Sequence, residues 1–169
     1  MARAKAKAKA KARGKTKSGR VTALQRASHR RRAPVAKAKS KARAKHSFTV
    51  SHHREEDFDA GLRAYAKYRD LGIANATGDM VQAHVIRMVP PCIPEEVSKL
   101  HYHDVDFQMV YVLKGWMKSE FEGQGPVLMR EGSCWIQPPR IKHKVLDYSD
   151  DCEVLEIILP AKFDTVTLE

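Results

Sequence analysis

The sequence predicts an all-β domain, a sandwich or barrel of short strands, preceded by a disordered basic segment. Two observations carry that expectation. From about residue 80, short apolar runs alternate with Gly, Pro and Asp turn signals, and helical periodicity is scarce. Charge also changes abruptly along the chain. Residues 1–46 hold 18 Lys or Arg and no Asp or Glu, whereas residues 47–169 hold 13 Lys or Arg against 20 Asp or Glu, a net of −7. The overall charge of +11 averages two different materials.

In residues 1–46, Val21, Leu24 and Val35 are nearly the only bulky apolar side chains, and alanine alternates with a cation from Ala2 to Ala12. No core can offset the entropy of ordering such a segment, and its like charges oppose a free helix. An anionic partner would relieve that repulsion. The segment lacks aromatic residues to stack on bases, so contact with nucleic acid is expected to be sequence-independent and salt-sensitive. The composition resembles the lysine- and alanine-rich tails of linker histones and bacterial histone-like proteins. A solubilising extension and contact with an anionic membrane or partner are the alternatives. A secretory signal is not expected, because the segment has no apolar centre, and no run of about 20 apolar residues predicts a membrane span. Cys92, Cys134 and Cys152 are odd in number and irregular in spacing, which predicts reduced thiols in a cytoplasmic protein.

Residues 47–169 then read as one domain. Phe58, Leu62, Tyr65 and Tyr68 recur at helical spacing, which predicts a short helix over 57–68; an extended strand through 68–73 is the competing reading. Asn75 to Asp79 reads as a turn. Strands are expected at 81–89, ending at Pro90-Pro91, and at 107–113, closed by Lys114-Gly115. Residues 116–121 are expected to pair back across Gly115 as a hairpin. A glycine-rich loop at 122–126 leads to short strands at 127–129 and 133–137, then to strands at 142–146 and 153–159.

The chemistry concentrates after residue 100. His101 and His103 lie two apart on a strand, so both project to one face and Tyr102 to the other. Gln108 opens the next strand, and His143 follows a Pro-Pro turn far along the chain. Three imidazoles and one oxygen donor suit a borderline divalent ion such as Fe, Mn, Ni, Co, Cu or Zn. Val110 and Val112 share the face of Gln108 and are expected to wall a pocket. Met109 and Tyr111 face the other way, into structural packing. His84, in alternation with Gln82 and Ile86, is a candidate for proton transfer. His52 and His53 read as surface residues, and Cys134 as a small apolar filler.

The spacing resembles that of the cupin superfamily. Its first motif is His-x-His, three or four residues, Glu, six residues, Gly; His101, His103, Gln108 and Gly115 fall in that register. Its second motif is Gly, five residues, Pro-x-Gly, two residues, His, three residues, Asn; Gly132, Pro138, His143 and Asp147 fall in register. Gln108 replaces the glutamate, Arg140 the glycine and Asp147 the asparagine. The resemblance implies a small single-domain RmlC-like barrel, a double-stranded β-helix or jelly roll. It implies a metal held by His101, His103, Gln108 and His143 inside the wide end, and a homodimer paired through strands 80–89 and 153–159.

A neutral glutamine leaves a divalent site at +2, one charge more than the glutamate version. That predicts weaker metal binding, a preference for anionic small-molecule substrates and no carboxylate base at residue 108. Gln108, His84 and Arg140 are the candidate catalytic residues. The leading expectation is a dioxygenase-type oxidoreductase. A metal-dependent isomerase or lyase is one alternative; a non-catalytic metabolite-binding or sensor module, held near nucleic acid by residues 1–46, is another.

Overall fold

The computed structural model describes residues 46–61 and 63–168. The expected basic tail, with its nucleic-acid contact, falls on residues that, apart from His46, lie outside those described.

The described chain is β-dominant and forms two antiparallel sheets. The strands are β1 (Asp59–Ala60), β2 (Ala66–Asp70), β3 (Gln82–Met88), β4 (His101–Asp104), β5 (Phe107–Lys114), β6 (Trp116–Phe121), β7 (Gly125–Arg130), β8 (Cys134–Ile136), β9 (His143–Tyr148), β10 (Glu153–Leu159) and β11 (Asp164–Thr167). One sheet runs β1-β2-β3-β10-β5-β8 and the other β11-β4-β9-β6-β7. Two short helices, α1 (Ile73–Thr77) and α2 (Pro94–Val97), interrupt the strands.

Alternation sets which face is buried. Along β5, Gln108, Val110 and Val112 point inward and are 4 % exposed or less, while Phe107, Tyr111 and Leu113 stand on the outer face. Val154 and Ile158 of β10, Met88 of β3, and Met117 and Phe121 of β6 complete the core between the sheets. This is the burial pattern of two sheets packed face to face.

Four expectations change. The helix over 57–68 is replaced by a single 3-10 turn at Glu55–Asp57 followed by β1 and β2. Tyr68 folds its ring against Gly61, which leaves no room for a side chain there, and β2 buries Ala66 and half-buries Tyr68 on its inner face. The turn at 75–79 is instead the end of α1, capped by Gly78 in the left-handed conformation.

The hairpin across Gly115 does not form either. β5 belongs to the six-stranded sheet and β6 to the five-stranded one, so Gly115 is a corner between sheets. Its φ of +68° is left-handed, and a side chain there would strike Ser149 and Asp151. The hairpin lies one strand later, where β6 pairs with β7 around residues 122–124. Finally, β3 and β10 lie inside their sheet, so neither offers the free edge expected for pairing with a second copy.

Candidate metal centre

The three histidines come from two neighbouring strands of the five-stranded sheet. His101 and His103 are alternate residues of β4, and His143 begins β9, directly opposite His101 in the register. One ligand atom from each lies within 4.8 Å of the others. The ring centroids of His101 and His143 are 4.3 Å apart, and His103 stands 5.1 and 5.2 Å from them.

The outer nitrogen of each ring is already committed. His101 Nδ1–H donates to Lys99 O at 2.7 Å, and His143 Nδ1–H donates to Ile141 O at 2.9 Å. A carbonyl can only accept, which fixes both tautomers. His103 Nδ1 pairs with Thr165 Oγ1 of β11 at 2.9 Å. The tautomers of His101 and His143 thus turn their Nε2 atoms inward, where that of His143 is met by Gln137, and His103 is steadied by Thr165, in the arrangement by which supporting hydrogen bonds orient metal ligands. Burial pushes His101 down to about 3 and His103 to about 4, and it lowers His143 as well. The rings are thus neutral near pH 7, the state that binds metal. These residues fit a divalent ion.

The six-stranded sheet supplies the other half of the site. Gln108 is 1 % exposed, and its Nε2 donates to Glu156 Oε1 of β10 at 2.6 Å. The other oxygen of Glu156 lies 2.7 Å from His84 Nε2 on β3. Burial pushes the Glu156 carboxyl up, but the hydrogen bonds it accepts from His84 and Gln108 outweigh that and set it below the usual carboxylate range. His84 and His103 line a common cavity of about 360 Å³ together with Thr165, Tyr68 and Arg63. Arg63 also borders a smaller cavity, about 90 Å³, lined by His101, His143, Val110 and Met117.

Of the sequence candidates, the structure brings His101, His103 and His143 together and sets His84 and Gln108 on either side of Glu156. Arg140 is not brought in. It takes φ +62° where the motif has glycine, and its guanidinium lies over the Tyr102 ring at 5.3 Å, on the face of β4 opposite the histidines. Asp147 is exposed and accepts a hydrogen bond from Tyr148 N. Cys134 points outward rather than filling the interior, and all three cysteines are free thiols. His52 and His53 are exposed.

Four residues escaped the sequence reading. Glu156 carries the most weight, because it restores behind residue 108 the negative charge that Gln108 lacks. With it, a divalent ion at the site sums to +1 rather than the expected +2. Its signal was legible: a single glutamate on the inward face of an apolar strand, between Val154 and Ile158. Gln137 is 5 % exposed, and its Nε2 donates to His143 Nε2 at 3.2 Å, a bond an ion must displace. Thr165 and Arg63 have no local signal; only the fold carries them to the site.

Comparison with known proteins agrees with this architecture. Residues 92–158 match the family model described as a cupin domain. No curated protein matches the chain in sequence. Among solved structures, the chain is similar to the polyketide cyclase RemF from Streptomyces resistomycificus (16 % identity, TM-score 0.56), covering 72 % of this chain and 87 % of that one. It is similar to KdgF from Halomonas sp. (18 % identity, TM-score 0.52; 66 % of this chain and 96 % of that one). It also resembles oxalate decarboxylase from Bacillus subtilis (18 % identity, TM-score 0.53), over 73 % of this chain and 34 % of the other. Together these findings show a cupin-like fold for the folded part. At such identities the likeness is one of fold, and a fold hosts many chemistries. None of the comparisons supports a histone-like tail in residues 1–46. Among the described residues no helix is long and apolar enough to cross a membrane.

Proposed function

We propose that the chain is a metal-dependent enzyme acting on a small anionic molecule, with dioxygenase-type oxidoreductase chemistry at the centre formed by His101, His103 and His143. The observation that carries this reading is the convergence of three neutral imidazoles, each with its outer nitrogen tied back, beside two cavities. His101, His103 and His143, with Gln108 beside them, would hold a divalent ion. A divalent ion there supplies a Lewis acid for a substrate oxygen and, if redox-active, an electron path to O₂.

The chain's own residues do the rest. Arg63 is half-buried at the border of both cavities, and its described bond is to Tyr65 Oη at 2.8 Å; the ion pairs of the described residues do not include it. It is placed to take a substrate carboxylate. Val110, Met117 and Val145 give the smaller cavity apolar walls that exclude water. Gentle isolation without oxygen, followed by metal analysis and oxygen uptake with enols, enediols and small carboxylates, tests the reading. Failure to retain or bind any first-row ion at micromolar concentration ends it.

A second reading, isomerase or lyase, is favoured by one observation. Glu156 fixes His84 through Nε2, so the imidazole stands at the cavity as an oriented general base. Substrate-dependent exchange of a carbon-bound hydrogen with deuterated solvent, without oxygen consumption, would select it over the first.

A further inference from the structure

The glutamine at residue 108 and the glutamate behind it make one unit. Gln108 and Glu156 sit on adjacent strands, β5 and β10, and both face inward. Glu156 receives one N–H on each oxygen: Gln108 Nε2 on Oε1 at 2.6 Å and His84 Nε2 on Oε2 at 2.7 Å. A carboxylate can only accept, so Gln108 must turn its amide nitrogen to Glu156. The carbonyl oxygen of the same amide is then left free of Glu156. Among the described residues that oxygen accepts no hydrogen bond, although Gln108 is 1 % exposed. Among the described residues the buried side-chain atom left without a partner is Arg69 Nε, so the Gln108 carbonyl oxygen is not sealed in and keeps some open space beside it.

We propose that Gln108 and Glu156 form an inverted ligand pair: Glu156 positions the Gln108 carbonyl toward the ion and holds the balancing negative charge one residue further out. The proposal rests on the reading of a metal at the three histidines. Glu156 is a positioning residue here, acting through Gln108, while His84 locks its second oxygen. The arrangement keeps the total charge that a directly ligating glutamate would give. It moves that charge from an oxygen on the ion to one behind it, leaving a neutral, weaker ligand facing the substrate. An ion so held trades affinity for easier exchange of that ligand.

The exchange of the two side chains tests this. Co²⁺ is titrated calorimetrically, and by its visible absorption, into the full chain and into Glu156→Gln, Gln108→Glu, the double variant carrying both, and His101→Ala. Glu156→Gln should weaken binding by about 10- to 100-fold, as loss of such outer partners does. Gln108→Glu alone opposes two carboxylates at a 2.6 Å contact and should not bind more tightly than the native chain. The double variant restores the pair in the opposite order. It should recover at least native affinity with a changed Co²⁺ spectrum, which a merely structural role would not produce. The double variant also keeps the hydrogen bond if Glu156→Gln fails to fold. If His101→Ala loses Co²⁺ while Glu156→Gln binds within twofold of native, the pair is refuted and the metal reading stands. If the native chain binds no Co²⁺, both fall.

Discussion

The two sheets contribute opposite chemistries to the same interior. The five-stranded sheet gives three neutral nitrogens, all from β4 and β9, with their outer atoms held by Lys99 O, Ile141 O and Thr165. The six-stranded sheet gives a hydrogen-bonded chain, His84–Glu156–Gln108, drawn from β3, β10 and β5. The first half has ligands and no charge; the second has charge and proton-handling groups. A site split this way lets metal capture and proton management be altered separately.

Breaking the halves one at a time tests that separation. The largest effect is expected for His143→Ala: on this reading, metal affinity falls by about 1,000-fold or more, and the thermal shift on adding Co²⁺ disappears, because the ion contributes stability only to a state that binds it. His84→Ala should do the reverse. It leaves Co²⁺ affinity within about threefold and lowers turnover by about 100-fold, the usual contribution of a positioned acid or base. Thr165→Val removes the partner of His103 Nδ1 and should cost about tenfold in affinity, read by calorimetry. Arg63→Ala should raise KM for an anionic substrate by about tenfold and leave metal binding unchanged. The smallest effect is on the metal-free protein's pH dependence. His101 and His103 have folded pKa values of about 3 and about 4, below the unfolded value near 6.5. Between these values the unfolded chain binds more protons, so stability falls as pH drops from about 6.5 toward 4. Urea midpoints at pH 7 and pH 5 would show the loss; equal midpoints would contradict the burial of these rings.

The sequence disclosed the two halves unequally, for a physical reason. His101 and His103 are two apart on one strand, and their shared face follows from strand geometry alone. His143 joined them only through motif spacing. Gln108 was visible, but its meaning was not, because Glu156 lies 48 residues away and reaches it through the β5–β10 register. Local pattern cannot report a cross-strand pair. The β-rich class and several strand bounds, such as 116–121 and 153–159, were legible from alternation. The helix at 57–68 was misread because aromatic residues at three- and four-residue spacing also suit a turn followed by a strand. At Gly115 the glycine was noticed for the right reason, its backbone freedom, but the chain uses it to change sheets.

β4 meets β9 through the single residue pair His101 and His143, whereas β11 rests on β4 through four. The β4–β11 ribbon is therefore joined to the rest of its sheet at the spot where the imidazoles converge. An ion there acts as a rivet across the thinnest seam of the fold. Amide hydrogen exchange in residues 101–104 and 164–167 should slow on metal addition, by about 2.7 kcal/mol of opening free energy at a free ion concentration one hundred times Kd. Occupancy would then be legible in the motion of a ribbon as well as in chemistry.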